Sequence, residues 1–123
     1  MSCSVLVVDD LEMMRQVIRE VLEDNGIRIA GEAPNGKDAL QLYGSLKPDV
    51  VLLDITMPVM DGLEALSRLK AIDNKAKVIM CSAMSGQKYV LRAIQLGAHD
   101  FIVKPFRPQR IVSSVMKAAG RDG

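Results

Sequence analysis

The stretch Val50-Val51-Leu52-Leu53-Asp54-Ile55-Thr56-Met57-Pro58 decides the fold: four consecutive aliphatic residues end at a carboxylate, and a proline follows within four positions. A strand with one wet face alternates apolar and polar residues, so an unbroken apolar run reads as a strand buried on both faces. Asp54 stands where that strand leaves the core. A carboxylate so placed is fixed from below and open to ligands above, although capping a helix or closing a turn is also common work for an Asp after a strand.

Similar runs occur elsewhere. Val5-Leu6-Val7-Val8 stops at Asp9-Asp10, Val78-Ile79-Met80-Cys81 stops at Ser82-Ala83, and Phe101-Ile102-Val103 stops at Lys104-Pro105. Ile27 to Ala33 is interrupted by Arg28 and Glu32 and reads as an edge strand. Between these runs lie helical stripes. Met14, Val17, Ile18, Val21 and Leu22 repeat at helical spacing up to Asn25-Gly26, and Ala39, Leu42 or Tyr43, and Leu46 follow the Pro34-Asn35-Gly36 turn. Leu63, Leu66, Leu69 and Ile72 run to Asp73-Asn74. A weaker helix from about Gln87 to Leu96 is closed by Gly97, and a last one from about Pro108 to Ala119 turns Ile111, Val112, Val115 and Ala119 inward.

Five strands alternating with five helices require an α/β fold, a doubly wound parallel sheet covered by helices on both faces. Right-handed crossovers then put every strand's C-terminal end on one edge. Asp9, Asp10, Asp54, Ser82 and Lys104 are thereby expected to gather at one rim, the place where open α/β sheets bind their ligands.

Composition narrows the partners. With 123 residues the chain has the length of one domain, expected to span 1–123. Its 16 Lys and Arg against 15 Asp and Glu leave a net charge of +1, which argues against nucleic acid as the main partner. Its apolar runs are too short to span a bilayer and no secretory signal opens it, so a cytoplasmic protein without a membrane partner is expected. Cys3 and Cys81 do not make a disulfide framework or a zinc site, and Cys81 reads as a small core hydrophobe. His99 reads as a surface turn residue, Met13, Met57, Met60 and Met84 as gap fillers, and Arg107, Arg110 and Lys117 as a solvated face.

The residues gathered at the rim specify a chemistry. Crowded carboxylates repel, so they take up a proton or bind a cation. Oxygen ligands favour a hard ion, and Mg²⁺ suits a site that leaves waters in place for a phosphoryl donor. Lys104 is a point charge on a long stem, able to pair with a carboxylate first and a phosphoryl oxygen later, and Ser82 offers a hydroxyl to the same oxygen. Such a site holds a phosphoryl group in line with Asp54 as nucleophile. A dinucleotide fits badly, because the first turn has two acids in place of a glycine-rich loop.

Asp9-Asp10, Asp54 with Met57-Pro58-Val59-Met60-Asp61-Gly62 downstream, Ser82-Ala83, and Lys104-Pro105 after Phe101 together resemble the receiver domains of two-component response regulators. The resemblance covers the whole chain. It implies a flavodoxin-like sheet of order 2-1-3-4-5, an order taken from the family and not from the residues. It implies that Asp54 is the phosphoacceptor, that Asp9, Asp10, Asp54 and the backbone carbonyl of Thr56 hold Mg²⁺, and that Lys104 contacts the phosphoryl group. It further implies that Ser82 and Phe101 form the switch and that Lys104-Pro105 is a cis peptide. The stretches Cys81-Ser82-Ala83-Met84 and Asp100 to Phe106 look most like stand-alone chemotaxis members. Those receive phosphate from a sensor histidine kinase, bind the flagellar motor switch, meet a phosphatase, and act as monomeric switches rather than turnover enzymes. A phosphorelay intermediate, or a receiver cut from a larger regulator, would share every residue of the site. A Mg²⁺-dependent phosphatase with an aspartyl nucleophile would want a second Asp two residues on, where Thr56 stands.

Overall fold

Alternating strands and helices wind into one parallel sheet in a computed structural model that describes residues 3–84 and 86–120, so the ends of the expected 1–123 domain lie outside it. The elements are β1 (Ser4–Val8), α1 (Glu12–Asp24), β2 (Arg28–Ala33), α2 (Gly36–Leu46), β3 (Val50–Leu53), α3 (Gly62–Ile72), β4 (Val78–Ser82), α4 (Gln87–Gln95), β5 (Asp100–Val103) and α5 (Pro108–Ala118). The strand order is β2-β1-β3-β4-β5 and every pairing is parallel. Both the predicted order and the edge position of β2 are observed.

The unbroken apolar runs are explained by two cores. Successive residues of a strand point to opposite faces. Val5, Val7, Leu52, Ile79, Cys81 and Ile102 meet Ile18 and Leu22 of α1 and Ile111 and Val115 of α5 on one face. Leu6, Val8, Val51, Leu53, Val78 and Met80 meet Ala39, Leu66, Leu69 and Ala93 of the three other helices on the opposite face. Every residue of β1, β3 and β4 is therefore buried. Partly exposed β2 covers one flank.

Three residues expected in the core are exposed: Val17 by 42%, Leu46 by 39% and Ile72 by 63%. The buried stripe of α1 is centred on Ile18 and Leu22, with Met14 half-buried, and Val17 lies about 100° away from Ile18 around the helix. Leu46 and Ile72 are the last residues of α2 and α3, and Leu46 lies against Gly31 of β2, the edge of the sheet. At the end of α5 it is Ala118 that is fully buried, with Ala119 only partly so. Gly97, with φ of 99°, ends α4 as its position predicts.

Candidate functional site

Because β1 and β3 are parallel neighbours with Val8 opposite Leu53, the residues that follow them, Asp9 and Asp54, emerge side by side. The Asp54 N–H donates to the Val8 carbonyl at 3.1 Å. Carboxylate oxygens of Asp9, Asp10 and Asp54 lie within 4.8 Å of one another, Asp9 and Asp54 buried and Asp10 exposed. From the β5 side Lys104 reaches in, its Nζ 2.7 Å from Asp9 Oδ2 and 3.5 Å from Asp54 Oδ2. The Lys104 backbone N–H donates to the Ser82 carbonyl at 2.9 Å, which ties the end of β4 to the same rim. Lys104-Pro105 is cis. The strand ends thus bring Asp9, Asp10, Asp54, Ser82 and Lys104 to one edge, as the alternation implies.

Asp54 does not cap a helix. That task falls to Asp61, whose Oδ1 accepts the Glu64 N–H at 2.9 Å at the start of α3. Asp9, by contrast, is held at every polar group. Its N–H donates to the Ala33 carbonyl at 3.1 Å, and its own carbonyl accepts Arg15 Nη1 at 2.7 Å. Its Oδ1 accepts the Leu11 N–H at 3.0 Å, and its Oδ2 accepts Lys104. Ser82 is fully buried and its Oγ accepts the Met84 N–H at 3.0 Å. Thr56, two positions past Asp54, is exposed in the bend after β3. Phe101, like Met84 and Tyr89, is half-buried against the core beneath α2, α3 and α4.

The electrostatics follow from crowding. Burial raises the Asp54 pKa; Lys104 opposes this, the Asp9 charge reinforces it, and the net shift is upward. Burial works against the Lys104 ammonium, but its bond to Asp9 and the charges of Asp54 and Asp9 outweigh it, so its pKa is raised. Burial pushes the neighbouring Cys81 thiol up to about 12, which makes it a core side chain and not a nucleophile. An all-oxygen donor set on carboxylates that repel one another is what a hard divalent ion fits.

Several features of the site have a reason that exists only in the folded chain. Gly62 donates its N–H to the Ile55 carbonyl at 2.7 Å, and a Cβ on it would overlap the Asp54 carbonyl oxygen, so only glycine lets α3 start against the Asp54 backbone. Val59 has a φ of 70°, a conformation that a β-branched residue rarely adopts. Arg15 packs behind the acids. Arg110 is exposed, as the reading of α5's charges as a solvated face expects, and it also bonds Asp100 at 2.8 and 3.1 Å and the Phe101 carbonyl at 3.2 Å. Arg107, Lys117 and His99 are exposed. Of the methionines read as gap fillers, Met13 is instead 77% exposed, while Met57, Met60 and Met84 are half-buried.

The family model described as the response regulator receiver domain matches residues 5–116, and the chain belongs to that family. Within it, the chain is closely related to chemotaxis proteins. It is 47% identical to the chemotaxis protein CheY of Thermotoga maritima, over 97% of this chain and 99% of that one. It is 52% identical to CheY of Listeria monocytogenes, over 93% of this chain and 96% of that one. Among solved structures, a chain of the CheX-CheY-BeF3-Mg²⁺ complex from Borrelia burgdorferi matches with a TM-score of 0.91 at 35% identity, over 94% of this chain and 87% of that one.

Proposed function

We propose that this chain is a single receiver domain acting as a phosphorylation-activated switch in the cytoplasm. Asp54 accepts phosphate from a sensor histidine kinase, and the phosphorylated chain binds the flagellar motor switch to set swimming direction. The observation that carries this reading is the Lys104 ammonium between Asp9 and Asp54, 2.7 and 3.5 Å away, beside a third carboxylate. The likeness to CheY relatives over 99% and 96% of their lengths supports a chemotaxis role.

An Asp54 carboxylate oxygen attacks the phosphorus of a phosphohistidine. The P–N bond breaks, its electron pair returns to the imidazole, and an acyl phosphate forms on Asp54. Held by Asp9, Asp10, Asp54 and the Thr56 carbonyl, Mg²⁺ would supply positive charge for the phosphoryl group; the cluster of three acids and the Mg²⁺ named in the Borrelia complex support the choice of ion. Lys104 moves from Asp9 to a phosphoryl oxygen, a short reach for its four-carbon stem. Ser82, whose Oγ already accepts the Met84 N–H, still has its own proton to donate to that oxygen. The pull on Ser82 moves the segment after β4, where Met84 packs in the same core as Phe101, and Phe101 turns further inward. The phosphoryl group shifts this equilibrium only through contacts that differ between the two states.

The test is a titration of a purified flagellar motor-switch protein with and without a small acyl-phosphate donor and Mg²⁺. Wild type is expected to bind roughly tenfold more tightly with the donor, within the usual range of coupling between sites. Asp54→Asn and Ser82→Ala are expected to lose that gain; a wild-type affinity indifferent to the donor contradicts the proposal.

A further inference from the structure

We propose that Arg15 is a positioning residue for the divalent-cation site, setting the backbone on which Asp9 and Asp10 present their carboxylates. The proposal rests on the reading of the three acids as cation ligands. β1 ends at Val8 and α1 begins at Glu12, so both acids stand in a very short link whose conformation decides where each side chain points. Asp9 lies beyond the last residue of β1; β2 still takes its N–H, but the partner of its carbonyl is Arg15 Nη1 at 2.7 Å. The guanidinium is in turn fixed from the edge strand: Arg15 Nε donates to Glu32 Oε1 at 3.2 Å, and Arg15 is only 16% exposed. The next residue, Ala33, accepts the Asp9 N–H at 3.1 Å. Two consecutive residues of β2 therefore clamp the link, Ala33 directly and Glu32 through Arg15.

This arrangement does what the Lys104 contact cannot. Lys104 holds the Asp9 carboxylate at 2.7 Å and must leave it to reach a phosphoryl oxygen, whereas Arg15 holds the Asp9 backbone and stays when Lys104 moves. The guanidinium places positive charge behind Asp9 while bonding its backbone carbonyl and neither of its carboxylate oxygens. Donors on two different nitrogens of one rigid plane make both contacts, a geometry that the single ammonium head of lysine does not reproduce.

Mg²⁺ titrated by calorimetry into protein without any phosphoryl donor tests the proposal. Partners that orient metal ligands typically contribute tenfold or more to affinity, so Arg15→Ala is expected to weaken Mg²⁺ binding roughly tenfold. Arg15→Lys should weaken it nearly as much, and Glu32→Gln less. The Mg²⁺ midpoint of phosphorylation by a small acyl-phosphate donor should move by the same factor. A merely structural role would lower the urea midpoint and leave the Mg²⁺ affinity of the folded protein at the wild-type value, which overturns the proposal. If Arg15→Ala fails to fold, Arg15→Lys and Glu32→Gln carry the same test. Asp10→Asn separates the two readings: wild-type affinity in Asp10→Asn overturns the cation site itself. Lost affinity in Asp10→Asn beside wild-type affinity in all three other variants overturns the role of Arg15 alone.

Discussion

Asp54 and Asp100 stand at opposite ends of one sheet, the first just past β3 and the second opening β5, and the fold treats them in opposite ways. Asp100 is saturated. Arg110 grips both its oxygens, Ser114 Oγ donates at 2.6 Å and the Phe101 N–H at 2.8 Å. Burial alone would raise its pKa, but these partners hold it down to about 2. Asp54 is more deeply buried, shares its lysine with Asp9, sits 3.5 Å from it, and has a raised pKa. A carboxylate with every need met is part of the scaffold. One left short of positive charge retains the capacity to take a cation or a covalent partner, and perturbed groups of that kind cluster at functional sites.

Removing the shared cation is the strongest way to break this contrast. Lys104→Met is expected to slow phosphorylation by an acyl-phosphate donor roughly a hundredfold or more, the usual cost of losing one charge-stabilising donor. A mass-spectrometric time course measures it, and a rate near wild type would mean that the ammonium contributes nothing to the transfer. Asp100→Asn should do the reverse, costing about 2 kcal/mol of stability in urea by loosening charge-assisted bonds while leaving the phosphorylation rate alone. Asp54→Asn should raise stability in Mg²⁺-free buffer at neutral pH, because it removes a buried charge that Lys104 only partly neutralises.

Acid titration sharpens the same contrast through its sign. Asp100 falls from an ordinary 3.8 to about 2 on folding, so between those values the unfolded chain binds more protons. Its contribution, about 2 kcal/mol at most after screening, is complete above 3.8 and lost as the pH falls toward 2. Asp54 is shifted upward, so the folded chain binds more protons above 3.8, and its penalty grows as the pH rises through the raised value. Urea midpoints across this range should lose the acid-side fall in Asp100→Asn and the Asp54 penalty in Asp54→Asn; parallel curves for both variants would contradict the assignment.

The smallest effect concerns strain, which also sits on the Asp54 side. Val59→Asn is expected to stabilise the fold by about 0.5–1 kcal/mol, since Asn tolerates a positive φ and Val does not. Chemical denaturation measures it, and a loss of stability would show that Val59 packs for a reason beyond its backbone.

What the residues disclose before folding is uneven. Four of the five strands announce themselves as apolar runs, and Asp9, Asp10, Asp54, Ser82 and Lys104 stand out because they follow or end these runs, so parallel topology suffices to bring them together. Helix faces are legible at Ile18, Leu66 and Ile111 and misread at Val17, beside the buried stripe of α1, and at Leu46 and Ile72, the last residues of their helices. Pairings between elements were not legible. Arg110 looks like any exposed helical arginine until α5 packs beside β5 and delivers it to Asp100. Arg15 and Glu32 are 17 residues apart and meet only because β2 lies beside β1. Gly62 belongs to a readable loop motif, but its reason, the Asp54 carbonyl against its Cα, exists only in the folded chain.

Every role proposed for this rim depends on Asp54 becoming the phosphoryl acceptor. Intact-mass analysis with fragment mapping, after incubation with a small acyl-phosphate donor in the presence and absence of Mg²⁺, measures that directly. One phosphoryl group per chain, located on Asp54, dependent on Mg²⁺ and missing from Asp54→Asn, is the predicted result. A phosphoryl group on another residue, or undiminished labelling of Asp54→Asn, would contradict it.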